Sequence, residues 1–224
     1  CVTRRQRQMC IRDRFYLAKL MKKIPVRAGV CDGFIGNRIL NKYGDCAYFI
    51  MEDGATPYEI DRAIFEFGYP MGPFQMFDLA GGDIGWAMRK RLEPMRDKNE
   101  RYVHIPDKLC EKGWFGQKTG RGFYRYDKGN RRGDEDPEVL EIINLERQKK
   151  SIIPTKFSQE EIIRRYMAAM INEASNVVHE KIALRPSDVD VTKLYGYGFP
   201  RYRGGPMKYA DSSGLDKILD DIRE

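Results

Sequence analysis

The residue of this sequence best placed to do chemistry is Asn37, within the stretch from Cys31 to Leu40. This stretch joins a β-branched run, residues 24–30, to an amphipathic helix, and Asn37 lies at the turn where the helix begins. A helix N-terminus offers unpaired backbone N–H groups and a positive dipole end, so a polar side chain there faces whatever molecule docks. We therefore predict an active-site role for Asn37. The alternative is that Asn37 simply caps the helix.

Two further motifs follow Asn37 in the chain. Residues 68–74 read Gly-Tyr-Pro-Met-Gly-Pro-Phe and are followed by Asp78, and residues 115–124 read Phe-Gly-Gln-Lys-Thr-Gly-Arg-Gly-Phe-Tyr. In their order and spacing, the three motifs resemble the C-terminal, helical part of the L-3-hydroxyacyl-CoA dehydrogenases, over about residues 15–224. More narrowly, the chain resembles the bifunctional fatty-acid β-oxidation enzymes, in which this helical unit occurs as two tandem copies after a nucleotide-binding domain.

The resemblance implies NAD-dependent oxidation of an L-3-hydroxyacyl-CoA to the 3-ketoacyl-CoA. In such an enzyme Asn37 is the catalytic residue that this chain supplies, as a hydrogen-bonding partner at the domain interface. The catalytic His–Glu pair and the NAD site belong to the nucleotide-binding domain. We therefore expect the chain alone to bind no NAD and no metal and to be inactive, with acyl-CoA and the nucleotide-binding domain as its partners. The alternative function is a non-catalytic acyl-CoA-binding or assembly module.

The other candidate residues have plainer explanations. His104 precedes a loop proline, and His179 replaces no catalytic position of the family. Residues 196–201 begin like a dinucleotide-binding fingerprint but lack a preceding strand, so we do not predict a cofactor loop. Five basic residues could reach the phosphates of coenzyme A, although a solvated helix face and loop explain them equally well: Arg89, Lys90, Arg91, Lys118 and Arg121.

Charge and composition exclude some functions. The net charge is +7, but residues 1–14 hold five arginines against one aspartate, which leaves +3 for the other 210 residues and argues against nucleic-acid binding. No apolar run approaches the roughly 20 residues that cross a bilayer. We predict a cytoplasmic protein if it is bacterial and a peroxisomal one if it is eukaryotic, although no SKL-type signal ends the chain. The five scattered cysteines predict reduced thiols.

The elements that position these motifs are predicted to be helical. One helix should span residues 36–53, a capping box from Thr56 to Glu59 should start the next, and another should span residues 137–149. Further helices should begin at the prolines of residues 73 and 106, and Asp83 should cap one more. Residues 15–23 and 24–30 predict a helix end and a strand, which the resemblance assigns to the nucleotide-binding domain.

Several motifs of the first half of the chain recur in the second half. Pro57 and Asp61 recur as Pro186 and Asp190, each pair 129 positions apart. Gly68-Tyr69-Pro70 recurs as Gly198-Phe199-Pro200, and Gly72-Pro73 with Asp78 recurs as Gly205-Pro206 with Asp211. The second copy lacks the Asn37 motif and the loop of residues 115–124, so we predict a structural role for it.

We therefore predict an all-α fold made of two homologous helical units that pack as a pseudo-dimer. The predicted parts are an unmatched basic head, residues 1–14, outside the fold, and a remnant of the nucleotide-binding domain, residues 15–31. The first helical unit spans residues 32–126, a linker spans residues 127–156, and the second unit spans residues 157–224. The shared surface should lie around Phe74, Phe77 and Leu79 of one unit and Met207, Tyr209 and Ala210 of the other.

Overall fold

The computed structural model describes residues 4–97, 99–127 and 129–223, with side chains from residue 9 onward. These residues form eleven α-helices and one two-stranded antiparallel sheet. The helices are α1 (Arg4–Leu20), α2 (Gly36–Asp53), α3 (Pro57–Phe67), α4 (Pro73–Ala80), α5 (Gly82–Leu92), α6 (Ile105–Glu111), α7 (Pro137–Lys149), α8 (Gln159–His179), α9 (Pro186–Gly196), α10 (Pro206–Ser213) and α11 (Leu215–Arg223). The strands are β1 (Tyr124–Arg125) and β2 (Asp134–Glu135). Across the described residues, no helix is both long and apolar enough to cross a bilayer.

The N-terminal segment differs from our expectation. Helix α1 begins at Arg4, so residues 4–14 of the head are helical, while residues 1–3 are outside the described residues. The reason is local, because this stretch contains no glycine or proline and is rich in strong helix formers. Much of α1 is exposed, including the apolar side chains of Tyr16, Leu17 and Leu20.

The strand predicted over residues 24–30 is also wrong. Within this stretch only Ala28 forms a β-bridge, to Ala183, and the next residue, Gly29, donates a backbone hydrogen bond of 2.7 Å to Ile182 O. A strand needs a neighbour that offers several free backbone groups. The neighbour here is the turn between α8 and α9, which pairs with a single residue of the stretch.

The first helical unit is built largely as its local signals predict. Helix α2 spans the predicted residues, and at the start of α3 Glu59 N donates to Thr56 Oγ1 (3.1 Å) while Thr56 N donates to Glu59 Oε2 (2.7 Å). This is the predicted capping box. Asp83, however, does not cap α5, because Gly81 precedes the helix and the Asp83 carboxylate forms an ion pair with Lys118 instead.

The linker predicted over residues 127–156 is part of the packed fold. It contains β2, which we did not predict, and α7, which has the predicted bounds. Arg147 of α7 donates hydrogen bonds to the backbone oxygens of Met51 (2.6 Å), Glu52 (3.1 Å) and Ala55 (2.9 Å). These carbonyls lie at the C-terminal end of α2, where a helix leaves its acceptors unpaired.

Helix α8 packs across α2 and α3, and aromatic rings fill the contact between the two halves of the chain. Ring centroids lie 4.9 Å apart for Tyr43 and Tyr166, 5.6 Å apart for Tyr69 and Phe199, and 5.4 Å apart for Phe67 and Tyr209.

The surface predicted for this contact is therefore only partly right. Tyr209 lies in it, whereas Phe74 and Phe77 pack on Tyr48 of α2, with ring centroids 5.9 and 5.1 Å from that of Tyr48. Leu79 is exposed. The rings of α4 thus complete the core of the first half, whereas α2, the end of α3 and the residues after it face the second half.

Candidate functional site

Asn37 is the second residue of α2, and its side chain does not cap that helix. The N-cap residue is Ile35, which has a helical backbone and no side-chain capping bond. The Asn37 side chain instead accepts a hydrogen bond of 2.6 Å at Oδ1 from the hydroxyl of Tyr197. This bond joins the start of α2 to the end of α9, across 160 positions of sequence. The capping alternative is therefore not the arrangement found.

The turn before Asn37 is shaped by Gly33. Its φ of 75° lies in the left-handed region, and its carbonyl accepts hydrogen bonds from Asn37 N (3.0 Å) and Arg38 N (3.2 Å). A Cβ atom on Gly33 would lie 2.5 Å from Arg38 N, so glycine is needed for both the backbone angle and the close approach. This turn fixes where α2 begins and therefore where the Asn37 amide lies.

Tyr197 follows the last residue of α9, and its ring lies directly against Gly36. A Cβ atom on Gly36 would lie 2.2 Å from the Tyr197 ring and hydroxyl, which is shorter than any van der Waals contact. The Tyr197 backbone N–H donates to Lys193 O (3.2 Å) and thereby closes the end of α9. The Gly36 position is thus what lets the phenol reach Asn37.

Lys193 lies behind Tyr197 and is completely buried. Its Nζ donates a hydrogen bond of 2.8 Å to the Tyr43 hydroxyl and lies 4.1 Å from the ring centroid of Tyr197. Burial lowers the pKa of Lys193 well below its usual value and raises the pKa of both Tyr43 and Tyr197. The group is therefore a buried amine between two protonated phenols.

Arg38, the residue after Asn37, forms ion pairs with Glu173 of α8 and with Glu180, the residue that follows α8. Its guanidinium donates to Glu173 (2.5 Å) and, through two nitrogens, to Glu180 (2.6 and 2.8 Å). The hydrogen bonds to Glu180 raise the pKa of Arg38 and lower that of Glu180. Asn37 and Arg38 thus both have their side-chain partners in the second half of the chain.

Sequence reasoning singled out Asn37 but not its contact Tyr197 or the buried Lys193 behind it. We considered residues 196–201 only as a dinucleotide fingerprint, and we gave the second unit a purely structural role. One signal was available: Lys193 lies four positions after Val189, and both side chains are completely buried on one face of α9. A lysine on the apolar face of a predicted helix indicates a buried amine with a specific polar partner.

The loop of residues 115–124 is held in place by Asp78 of α4. Asp78 accepts hydrogen bonds from Phe123 N, Tyr124 N and the Tyr126 hydroxyl, each 3.0 Å long. A Cβ atom on Gly122 would lie 2.1 Å from Asp78 Oδ1, so this glycine is needed where the loop crosses the carboxylate. Burial raises the pKa of Asp78 to about 6. The motif therefore anchors the loop on α4.

The five basic residues proposed to bind phosphate are all engaged within the chain. Arg89 pairs with Asp107 (2.7 Å), Arg121 pairs with Asp136 (2.6 Å), and Lys118 pairs with Asp83. Arg91 lies 3.7 Å from Asp32, and Lys90 Nζ lies 3.3 Å from the ring centroid of Trp86. They do not form the unpaired cluster that a phosphate site would need.

The described histidines and cysteines do not form a cluster of their own. His104 precedes α6, with its ring centroid 4.8 Å from that of Tyr102, and His179 is the last residue of α8. Cys10, Cys31, Cys46 and Cys110 are free thiols, and Cys1 is outside the described residues. In the part of the chain that the structure describes, no three His, Cys, Asp or Glu side chains come together as a metal site.

Part of the chain matches the model of a known protein family. Residues 33–126 match the 3-hydroxyacyl-CoA dehydrogenase, C-terminal domain. The matched segment contains Asn37, α2 to α6 and the loop anchored by Asp78.

Curated relatives support the same family. The chain is 45% identical over 216 residues to the peroxisomal bifunctional enzyme of Danio rerio, covering 91% of this chain and 30% of that protein. It is 45% identical over 220 residues to the peroxisomal bifunctional enzyme of Homo sapiens, covering 93% of this chain and 30% of that protein. The glyoxysomal fatty acid beta-oxidation multifunctional protein MFP-a of Cucumis sativus is 37% identical to the chain over 217 residues, which cover 95% of this chain and 30% of that protein. The chain thus spans about 30% of the length of these relatives.

Two solved structures share the fold. The dehydrogenase part of multifunctional enzyme 1 from C. elegans superposes with a TM-score of 0.70 at 28% identity, covering 94% of this chain and 47% of that chain. The 3-hydroxybutyryl-CoA dehydrogenase of Escherichia coli superposes with a TM-score of 0.71 at 20% identity, covering 93% of this chain and 58% of that chain. The first supports the family resemblance, and the second shows similarity of fold.

Proposed function

We propose that this chain is the substrate-side, helical part of an NAD-dependent L-3-hydroxyacyl-CoA dehydrogenase of fatty-acid β-oxidation. The observation that carries the proposal is the 45% identity to peroxisomal bifunctional enzymes over more than nine tenths of the chain. Because the animal relatives are named as peroxisomal, we propose the peroxisome as the location for a eukaryotic protein and keep the cytoplasm as the proposal for a bacterial one.

In the proposed reaction, the substrate loses its hydroxyl proton to a base and a hydride from C3, so that a ketone forms. We place the base and the NAD site on a partner nucleotide-binding domain. The residues described here do not fit NAD, because their one sheet has two short antiparallel strands and no glycine-rich turn leads from a strand into a helix. We accordingly assign no step with NAD to this chain and expect it to be inactive alone.

The surface for that partner domain is proposed at the N-terminal segment. Helix α1 and residues 24–30 expose large apolar side chains, among them Tyr16, Leu17, Leu20 and Ile24, at 54 to 65% of their surface. Exposed apolar patches of this kind mark interaction sites. The nucleotide-binding domain is the occupant that the family resemblance provides.

We also propose that the two halves are tandem copies packed as a pseudo-dimer. Asp61 accepts hydrogen bonds from the first N–H groups of α4, Phe74 N and Gln75 N, both at 2.9 Å. Asp190 accepts hydrogen bonds from Met207 N (2.7 Å) and Lys208 N (3.2 Å) at the start of α10. In each half the residue before the helix proline is a glycine whose Cβ would lie 2.3 to 2.4 Å from this aspartate. One atomic arrangement thus occurs twice.

The test is to join residues 15–224 to the nucleotide-binding domain of the zebrafish relative and to follow NADH absorbance with 3-hydroxybutyryl-CoA. We expect turnover from the joined protein, a large loss in Asn37→Ala, and no turnover from the chain alone. NADH production by the chain alone would contradict the division of roles. An inactive joined protein, together with saturable acyl-CoA binding by the chain alone, would instead favour the acyl-CoA-binding module.

A further inference from the structure

We propose that Tyr197 of the second helical unit is a positioning residue for Asn37, so that both units build the active site. The inference rests on the proposed function, because it assigns a task to Asn37 in that reaction. It also changes the role of the second unit, which sequence analysis treated as structural.

The hydrogen bond to Tyr197 selects which end of the Asn37 amide is free. The Tyr197 hydroxyl donates to Oδ1 at 2.6 Å, so the acceptor end of the amide faces the second unit. The Nδ2 group, with its two N–H donors, is then directed away from Tyr197. In the proposed oxidation the substrate oxygen loses its proton and becomes a carbonyl, so it becomes a stronger acceptor as the reaction proceeds. A fixed N–H donor is the group that stabilises such a change.

The phenol that holds Asn37 is itself fixed on two sides. One face packs on Gly36, where no side chain fits, and Lys193 Nζ lies 4.1 Å from the ring centroid. Lys193 is in turn held by the Tyr43 hydroxyl at 2.8 Å. Burial raises the pKa of Tyr197, which keeps its hydroxyl protonated and therefore able to donate. The donor is thus held in place by its surroundings before a substrate binds.

A purely structural role for Tyr197 makes a different prediction. If the ring only filled the space over Gly36, the Tyr197→Phe variant would behave like the natural chain, because phenylalanine keeps the ring. Positioning requires the hydroxyl. The matched control is Tyr202→Phe, which removes another hydroxyl of the second unit, one that donates to Phe67 O at 2.8 Å and does not contact Asn37.

The first experiment needs no partner domain and no activity. In ¹H–¹⁵N spectra of the 224-residue chain, the side-chain amide of Asn37 is identified by its loss in Asn37→Asp. We expect this resonance to move and broaden in Tyr197→Phe and to stay unchanged in Tyr202→Phe. An unchanged Asn37 amide in Tyr197→Phe would overturn the inference.

The second experiment uses the protein joined to the nucleotide-binding domain. We expect Tyr197→Phe to lower kcat by about tenfold with KM changed less than about twofold, since an oriented donor acts mainly in the transition state. In the Asn37→Ala background, Tyr197→Phe should have no further effect on kcat. Independent, multiplying effects of the two changes would overturn positioning. An unchanged kcat in Asn37→Ala would overturn the proposed role of Asn37 itself, and the amide spectra show separately whether the contact exists.

Discussion

Asp78 and Asp211 occupy corresponding places in the two halves of the chain, each five residues after the proline that opens its helix, yet their surroundings are opposite. Asp78 is 4% exposed and accepts three hydrogen bonds from the loop of residues 115–124 and Tyr126, whereas Asp211 is exposed. The second half has no such loop. One aspartate of the pair therefore anchors a segment, and the other is a surface residue.

The two aspartates should therefore respond differently to removal. Asp78→Ala leaves two backbone N–H groups and one hydroxyl without their acceptor, and each buried group of this kind costs about 1 to 3 kcal/mol. We expect a loss of about 3 kcal/mol in the free energy of unfolding from urea denaturation. Asp211→Ala, the matched control, should change it by less than about 0.5 kcal/mol. Equal losses in both variants would show that the loop does not depend on Asp78.

Asp190 provides a second test, this time of the proposed duplication. Asp190→Ala removes the acceptor for the first N–H groups of α10, so we expect a loss of about 2 kcal/mol in urea denaturation. Asp61→Ala should cost more, because Asp61 is buried and also accepts from the Tyr124 hydroxyl at 2.9 Å. If Asp190→Ala had no effect on stability, the correspondence between the two carboxylates would be geometric only.

Two glycines near the candidate site form a matched pair. Gly36→Ala places a methyl group into the Tyr197 ring, so we expect a loss of about 1 to 3 kcal/mol of stability and of the Asn37–Tyr197 hydrogen bond. Gly196→Ala adds the same methyl group where no atom lies within 4 Å, so it should be neutral or slightly stabilising. Thermal unfolding and the Asn37 amide resonance provide the two measurements. A stable Gly36→Ala chain with an unchanged amide would show that the Tyr197 ring can move aside.

Lys193 should give the chain a pH-dependent stability. Burial lowers the pKa of Lys193 well below its usual value, so between the two pKa values the unfolded chain binds more protons than the folded one. The free energy of unfolding then rises with pH over that window, by up to about 1.4 kcal/mol per pH unit, until the unfolded pKa of about 10.4.

Lys193→Met tests this linkage, because methionine keeps the volume and does not titrate. In urea denaturation between about pH 6 and about pH 9.5, the free energy of unfolding of the natural chain should increase with pH relative to that of the variant. The control for removing a lysine charge is Lys217→Met, on the exposed surface of α11. Parallel pH curves for Lys193→Met and the natural chain would contradict a lowered pKa for Lys193 in the folded chain.

Local signals predicted the elements that local forces determine. The bounds of α2 followed from its apolar period and from Gly54 at its end. The start of α7 and the capping box at Thr56 followed from a proline and a capping residue. The strand over residues 24–30 failed because a strand depends on a neighbour, which local sequence does not reveal. Asp83 failed as a cap because Lys118, 35 positions away, competes for its carboxylate.

In the candidate site too, local sequence indicated one residue, and distant packing determined its partners. Asn37 could be predicted from its place at a helix start within a recognisable motif. Its partner Tyr197 could not, because 160 positions separate the two residues and the packing of α2 against the second half brings them together. Lys193 was not predicted for a related reason, because its hydrogen-bond partner in the buried site is Tyr43 of α2.

The Asn37–Tyr197 contact should not depend on the protein concentration. Because both residues belong to one chain, the contact is intramolecular, and its population does not depend on how many protein molecules are present. If the corresponding tyrosine came from a separate subunit, the amide would lose its orientation whenever the assembly dissociated at low concentration. In this chain the orientation of Asn37 should therefore be the same at nanomolar as at micromolar protein, so the turnover per molecule of the protein joined to the nucleotide-binding domain should not fall on dilution.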